Sequence, residues 1–216
     1  MYGPVRLNYW SYMFTGIVQT KARVAAITEK DRLRTFAVQI PEAFRKELVV
    51  GASVAHNGVC LTVTELDDDK VFFDVMEETL RVTNLKDLGA GDHVNIERSL
   101  VFGKEVGGHV VSGHVHTLAR ITAIDKTDTN CTFSLAVDSS WMKYILHKGF
   151  VAIDGCSLTV GNTKEDGFDI HLIPETLAVT TLGERRVGDE LNIEIDSQTQ
   201  AIVDTVERVL SQRGLS

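Results

Sequence analysis

Two seven-residue stretches hold the side chains best suited to chemistry. Asn57-Gly58-Val59-Cys60-Leu61-Thr62-Val63 and Asp154-Gly155-Cys156-Ser157-Leu158-Thr159-Val160 share one pattern at an offset of 97 residues (57 to 154). Each opens on an Asn-Gly or Asp-Gly pair, residue types that accept the positive φ required at both central positions of a type I′ turn. Alternation along the following strand puts Val59, Leu61 and Val63 on one face and Cys60, Thr62 and Thr64 on the other. In the second stretch Cys156, Leu158 and Val160 form the apolar face, leaving Ser157 and Thr159 opposite. A thiol in one copy and a hydroxyl in the other thus share the polar face with a threonine.

The same offset carries further matches. Gly16 answers to Gly113, Val18 to Val115, Ala22-Arg23 to Ala119-Arg120, Glu78-Thr79-Leu80 to Glu175-Thr176-Leu177, and Asn95-Ile96-Glu97 to Asn192-Ile193-Glu194. Register held without insertion marks a duplicated domain, and the period is far too long for a solenoid repeat of about 20–50 residues. Identical polar positions (Thr62/Thr159, Glu78/Glu175, Thr79/Thr176) are expected to hold a ligand common to both halves. The differing ones (Ile17/His114, Cys60/Ser157, Asp74/His171, Gly51/Lys148, Phe14/Val111) are expected to assign different roles. That combination suits a reaction between two molecules of one substrate.

Plainer readings stand beside this. Strand threonines are common, Glu78 and Glu175 read equally as solvated loop charges, and a single cysteine is more often a small buried hydrophobe than a nucleophile. His109, His114 and His116 alternate along one segment, but their spacing fits no common zinc site. Gly155-Cys156-Ser157 is not the G-x-S-x-G elbow of a hydrolase, and the glycines around 107–113 make neither a dinucleotide fingerprint nor a P-loop.

The elements that must position these residues are short strands. In the first half they are expected at 16–27, 35–40, 53–55, 59–66, 71–76 and 93–98, with a helical turn over 42–48 after Pro41 and a loop over 83–88. The second half repeats the plan at 113–124, 132–137, 150–153, 156–162, 168–173 and 190–195, with 141–147 in place of the first helical turn. Many short alternating strands indicate an antiparallel barrel or sandwich. After Asp196 the spacing of Ile202, Val206, Val209 and Leu210 turns helical. A helix of about 15 residues is marginal alone, so an oligomer seam is expected, with docking on its own subunit as the alternative.

Composition sets the outer bounds. The 216 residues suffice for two domains of roughly 100. A net charge of −8 disfavours nucleic acid and anionic membranes. Three cysteines without CxxC spacing suggest neither a disulfide framework nor a zinc site, and point to a reducing, cytoplasmic setting. No apolar run approaches a membrane span. Residues 1–12 have no repeat counterpart and lack signal-peptide features, so they read as an upstream extension, vector-derived or from an early start codon.

Several motifs in fixed order resemble riboflavin synthase. They are Met13-Phe14-Thr15-Gly16-Ile17-Val18, Ala55-His56 leading into the first stretch above, Gly107-Gly108-His109-Val110-Val111-Ser112-Gly113-His114, Lys143-Tyr144-Ile145-Leu146, the second stretch above, and His171-Leu172-Ile173-Pro174-Glu175-Thr176-Leu177. The resemblance implies an all-β fold of two six-stranded Greek-key barrels plus a C-terminal α-helix that gathers three subunits. It divides the chain into a 1–12 extension, barrels over 13–106 and 107–196, and the helix over 197–216. It also implies cofactor-free transfer of a four-carbon unit between two molecules of 6,7-dimethyl-8-ribityllumazine, giving riboflavin and a ribitylamino-pyrimidinedione. Each site would lie between the N-terminal barrel of one subunit and the C-terminal barrel of its neighbour, and a lumazine synthase shell is a candidate further partner.

Carried over by position, substrate-binding residues of the first barrel would be Phe14, Thr15, Gly16, Ile17, Val18, Cys60, Leu61, Thr62, Asp74, Val75, Met76, Glu77, Glu78 and Thr79. Those of the second would be Gly113, His114, Val115, Lys148, Ser157, Leu158, Thr159, His171, Leu172, Ile173, Pro174, Glu175 and Thr176. His114 is the candidate acid/base, because imidazole titrates near neutral pH. Ser157 is the candidate to activate or position a nucleophile, with Cys60 as the alternative in the first barrel. The competing function is a non-catalytic lumazine or riboflavin carrier on the same barrels, which would need no acid/base group. A sugar- or nucleotide-binding module leaves the asymmetry between copies unexplained.

Overall fold

The structure, a computed structural model, describes residues 13–101, 103–127 and 129–214. The extension expected over 1–12 lies outside these residues.

The first barrel comprises β1 (Thr20–Lys30), β2 (Leu33–Gln39), β3 (Ser53–His56), β4 (Val59–Leu66), β5 (Val71–Met76) and β6 (His93–Arg98). It closes in the order β1-β2-β5-β4-β3-β6 with every pair antiparallel. The second comprises β7 (Thr117–Lys126), β8 (Cys131–Ala136), β9 (Phe150–Ile153), β10 (Cys156–Lys164), β11 (Gly167–Leu172) and β12 (Glu190–Ile195), closed in the equivalent order. The expected alternation holds: Val59, Leu61 and Val63 are buried while Thr62 and Thr64 are exposed. Closing so small a sheet demands sharp bending, which bulges supply. They fall at repeat-equivalent places, between Val24 and Ala26, Ile121 and Ala123, Val63 and Glu65, and Val160 and Thr163.

Among the described residues there are four α-helices: α1 (Glu42–Arg45), α2 (Glu77–Val82), α3 (Pro174–Val179) and α4 (Ser197–Gln212). The expected turn over 141–147 is a 3-10 turn at Ser139–Tyr144, where the Asp138 carboxylate accepts the Ser140 N–H at 2.9 Å. The largest departure from expectation concerns β1 and β7, which begin at Thr20 and Thr117 rather than at Gly16 and Gly113. The preceding residues leave their own barrel. Phe14 and Val111 pair as an antiparallel bridge between the halves. The Gly16 carbonyl then accepts Ser157 N–H at 2.7 Å in the second barrel, and the Gly113 carbonyl accepts Cys60 N–H at 2.9 Å in the first. Val18 packs against the second core and Val115 against the first. The straps are exchanged.

A buried joint holds the barrels together. The two hairpin turns meet tip to tip, with φ of +80° at Gly58 and +82° at Gly155, and a Cβ on either would stand 2.8 Å from the other's amide nitrogen. Around them Asn192 Nδ2 donates to the Asn57 carbonyl at 2.8 Å, and Asn95 Nδ2 donates to the Asp154 carbonyl at 2.9 Å. Asp154 Oδ1 accepts Asn84 Nδ2 and the Asn192 N–H, both at 2.8 Å, and Asp154 Oδ2 meets the Arg185 guanidinium at 2.7 Å. A small apolar cluster of Phe14, Ala55, Val111 and Ala152 fills the remainder.

Helix α4 starts at Asp196, whose carboxylate caps the Thr199 N–H at 2.9 Å. One face docks on its own barrel: Val203 packs on the second core, Gln200 bonds His116, and Asp204 and Glu207 reach Tyr144 and Lys143. The other face leaves Ile202, Val206, Val209 and Leu210 exposed. No helix among the described residues is long and apolar enough to cross a membrane.

His56 gives the first barrel a pH-sensitive core. Its ring lies edge-on to Phe73, fully buried, and burial lowers its pKa to about 4, against a weak opposing bond to the Val54 carbonyl. An unfolded histidine titrates near 6.5, so the unfolded chain binds the proton first as pH falls and stability is lost from there down to about pH 4. The repeat counterpart is Ile153. Urea unfolding at pH 7.5 and pH 5 should therefore show His56→Ile losing about 2 kcal/mol less than the parent chain.

Candidate active site

Strap exchange decides which residues meet. In the second barrel, Gly16, Ile17 and Val18 of one strap face Ser157 and Leu158 of β10 and Glu175, Thr176 and Val179 of α3, around a cavity of about 190 Å³. In the first barrel the equivalent place brings Gly113 against Cys60 of β4 and Val115 against the core that includes Leu61, with the exposed His114 between them on the strap. The structure places Gly16–Val18 against the second barrel and Gly113–Val115 against the first, the reverse of the sides expected from the sequence. His114 and Ser157, expected together, occupy different pockets.

The first pocket has an exposed imidazole and a half-buried thiol. The His114 N–H donates to Ser112 Oγ at 3.2 Å, which ties the backbone and leaves the ring free in solvent. Burial pushes the Cys60 thiol up, so at neutral pH it presents S–H rather than a thiolate. In the second pocket the Ser157 hydroxyl lies 2.6 Å from His109 Nδ1, and the His109 ring stacks on Phe150 at 5.3 Å. With Nδ1 unprotonated, the imidazole accepts the serine proton. Burial pushes His109 below the ordinary imidazole range, with Asp196 opposing only in part, which favours that neutral form.

The remaining expected residues divide by what they can offer. Thr62, Thr159, Lys148 and His171 are exposed, with His171 Nδ1 3.0 Å from Thr132 Oγ1. Asp74 accepts Thr35 Oγ1 at 2.6 Å. Met76, Glu77, Ile173 and Pro174 are exposed where β5 and β11 pass into α2 and α3, with Thr79 and Thr176 on those helices. Glu78 is held by Arg81 at 2.6 Å, whereas Glu175, with Ala178 three residues on, has no such partner among the described residues. Val75 and Leu172 are wholly in the barrel cores, so only their backbones can meet a ligand. Phe14 is buried in the cluster between the barrels, against which Cys60 packs, with its ring 3.0 Å from where a Gly113 Cβ would stand; Thr15 is tied to Glu97.

Three features of this region carry little signal in the sequence. His109 reads there only as part of a histidine cluster, yet His109, His114 and His116 turn to Ser157, to solvent and to Gln200 respectively. Helices α2 and α3, only six residues each, have no periodic signature. Glu97 and Glu194 bind the straps, and their identity at the repeat offset was the available signal.

Comparison with known proteins agrees with this architecture. The lumazine binding domain family matches the chain twice, at residues 15–99 and 112–196. Riboflavin synthase of Escherichia coli (strain K12) is 55% identical over 202 residues, covering 93% of this chain and 95% of that one. The riboflavin synthase of Chlamydia pneumoniae is 41% identical over 202 residues, covering 94% and 99%. LumP complexed with riboflavin superposes with a TM-score of 0.79 over 85% of this chain and 100% of that one, at 24% identity, a likeness of fold alone.

The Ser157–His109 pair can be tested without any substrate. His109 should titrate below about 6.5 by NMR of its ring. Ser157→Ala, by removing a donor that prefers the neutral ring, should move that titration upward; an unmoved titration would show that the pair is not coupled.

Proposed function

Because the chain belongs to the riboflavin synthase family, built on two lumazine-binding domains, we propose that it converts two molecules of 6,7-dimethyl-8-ribityllumazine into riboflavin and 5-amino-6-(ribitylamino)uracil. A four-carbon unit passes from one molecule to the other. The observation that carries the reading is a pair of equivalent strap-to-strand junctions with unlike chemistry: Gly113, next to His114, bonded to Cys60 in one, and Gly16 bonded to Ser157, itself bonded to His109, in the other. Two copies of one flat heterocycle fit two copies of one pocket, and the unlike side chains give them unlike fates.

The reaction needs a proton taken from the acidic C7 methyl of one lumazine and a nucleophile added to the other. His114, solvent-exposed on its strap, is the candidate acid/base for that proton. His109 Nδ1 can take the proton of the Ser157 hydroxyl, or of a water that Ser157 holds. Thr62 and Thr159 offer hydroxyl donors to ring carbonyls, and the unpaired Glu175 suits the ribityl hydroxyls better than Glu78, which Arg81 already occupies. Holding both molecules in register turns a collision into a first-order step, which accounts for much of the rate. A carrier would need neither His114 nor the Ser157–His109 pair. That alternative is not favoured.

The two pockets of one chain do not face each other in this reading; the partner pocket comes from another subunit. The exposed stripe Ile202, Val206, Val209 and Leu210 on α4 supports an oligomer seam, which in this reading gathers three subunits. Exposed Ile17, Met76, Phe150 and Ile173 beside the pockets support a second surface that closes on a neighbour. A lumazine synthase shell around the trimer would show as co-purification.

The direct test is to add 6,7-dimethyl-8-ribityllumazine to purified protein and follow riboflavin absorbance. Multiple turnovers are expected; a single stoichiometric spectral change would mean a carrier. His114→Gln should retain lumazine binding while lowering turnover by roughly 10²–10⁴. Truncation after Asp196 should yield folded monomers that still bind lumazine in the first barrel but make no riboflavin. Monomers with full activity would place the whole site within one subunit.

A further inference from the structure

Two buried carboxylates take no part in the site as described. Glu97 on β6 and Glu194 on β12 are each 5% exposed. Glu97 Oε1 accepts the Thr15 N–H at 2.6 Å and Thr15 Oγ1 at 2.8 Å, and its Oε2 accepts the Gly16 N–H at 3.1 Å. Glu194 does the same for the other strap, accepting the Ser112 N–H at 2.6 Å, Ser112 Oγ at 2.7 Å and the Gly113 N–H at 3.0 Å. Between the Phe14–Val111 bridge and the first residues of β1 and β7, no strand ladder fixes these backbones. Their course is set by the bridge, by one carbonyl bond to the opposite barrel, by the glutamate, and at the far end by Gln19 N–H to the Ile96 carbonyl and His116 N–H to the Ile193 carbonyl, each at 2.8 Å. Of these, the glutamate makes three bonds, all charge-assisted when it is ionised.

We propose that Glu97 and Glu194 are positioning residues that act crosswise. Glu97 is rooted in the first barrel but sets the pocket of the second through Gly16, Ile17 and Val18. Glu194 is rooted in the second but sets the pocket of the first through Gly113 and Val115, and with them the place of His114. The steric detail agrees: a Cβ on Gly16 would stand 2.6 Å from Ser157 Cβ, and one on Gly113 2.5 Å from Cys60 Cβ. Small displacements of a strap therefore reach the opposite pocket directly. The inference rests on the pocket assignment made under Proposed function.

The test uses the full chain, 6,7-dimethyl-8-ribityllumazine as the probe, and backbone amide NMR to read each pocket separately. In the unsubstituted chain, ligand should shift Leu61 and Thr62 in one pocket and Leu158 and Thr159 in the other. Glu97→Gln should weaken the response at Leu158 and Thr159 about tenfold or more and leave Leu61 and Thr62 as before. Glu194→Gln should do the reverse and lower kcat more than it raises KM, since it displaces His114. Where a glutamine variant does not fold, Thr15→Val and Ser112→Ala remove one strap bond each and should show the same crossed pattern at about two- to fivefold. Substitutions that weaken the pocket of their own barrel, or both pockets alike, would overturn the crosswise role. Absence of ligand shifts in the unsubstituted chain would overturn the pocket assignment itself, and this inference with it.

Discussion

The contact between Gly58 and Gly155 is the constraint on which the rest depends. Two hairpin tips approach so closely that neither position tolerates a Cβ, and both need a positive φ. Burying two turns this way removes backbone amides and carbonyls from water, and each must then find a partner. Asn95 and Asn192 supply them by reaching across to the opposite turn, at Asp154 and Asn57. Once the tips are locked, the two β4-type strands that leave them lie side by side with the straps. The straps can then cross only to the opposite barrel, and that crossing composes the two pockets.

This arrangement explains what the duplication kept and what it let go. Several positions identical at the repeat offset build the joint rather than the ligand site. Gly16/Gly113, Gly58/Gly155, Asn95/Asn192 and Glu97/Glu194 all serve strap or turn contacts. The halves differ at Cys60/Ser157 and Ile17/His114, whose side chains are half-buried or exposed rather than locked in the joint's hydrogen bonds.

Much of the fold was legible in the sequence because its signals are local. Strands β4, β5, β6, β9 and β12 match their expected bounds, since alternation and Asn-Gly or Asp-Gly turns are read within a few residues. The strap exchange was not legible. Residues 14–18 carry an apolar pattern that suits either barrel, and the partners that meet them across the joint, Val111 and Ser157, are far away in sequence. The same distance hid the Ser157–His109 bond, whose partners are 48 residues apart. Type and repeat spacing pointed to Ser157, Cys60 and His114, but only three-dimensional placement separates His114 from Ser157 and pairs Ser157 with His109.

The joint has the two-fold geometry of a dimer made from a single-barrel chain, yet its two halves are covalently one. In a true homodimer every substitution at the axis appears twice. An aspartate at both turn tips would put two buried carboxylates beside one another, at heavy electrostatic cost. Covalent linkage removes that restriction. Here Asn57 faces Asp154, and Leu88 stands where the other half has Arg185, so one buried ion pair sits off the axis with no mirror image. Linkage also raises the effective concentration of one barrel around the other to the millimolar range. The interface can therefore tolerate such one-sided change without coming apart, and the fused chain can explore unequal halves that two separate copies could never sample independently.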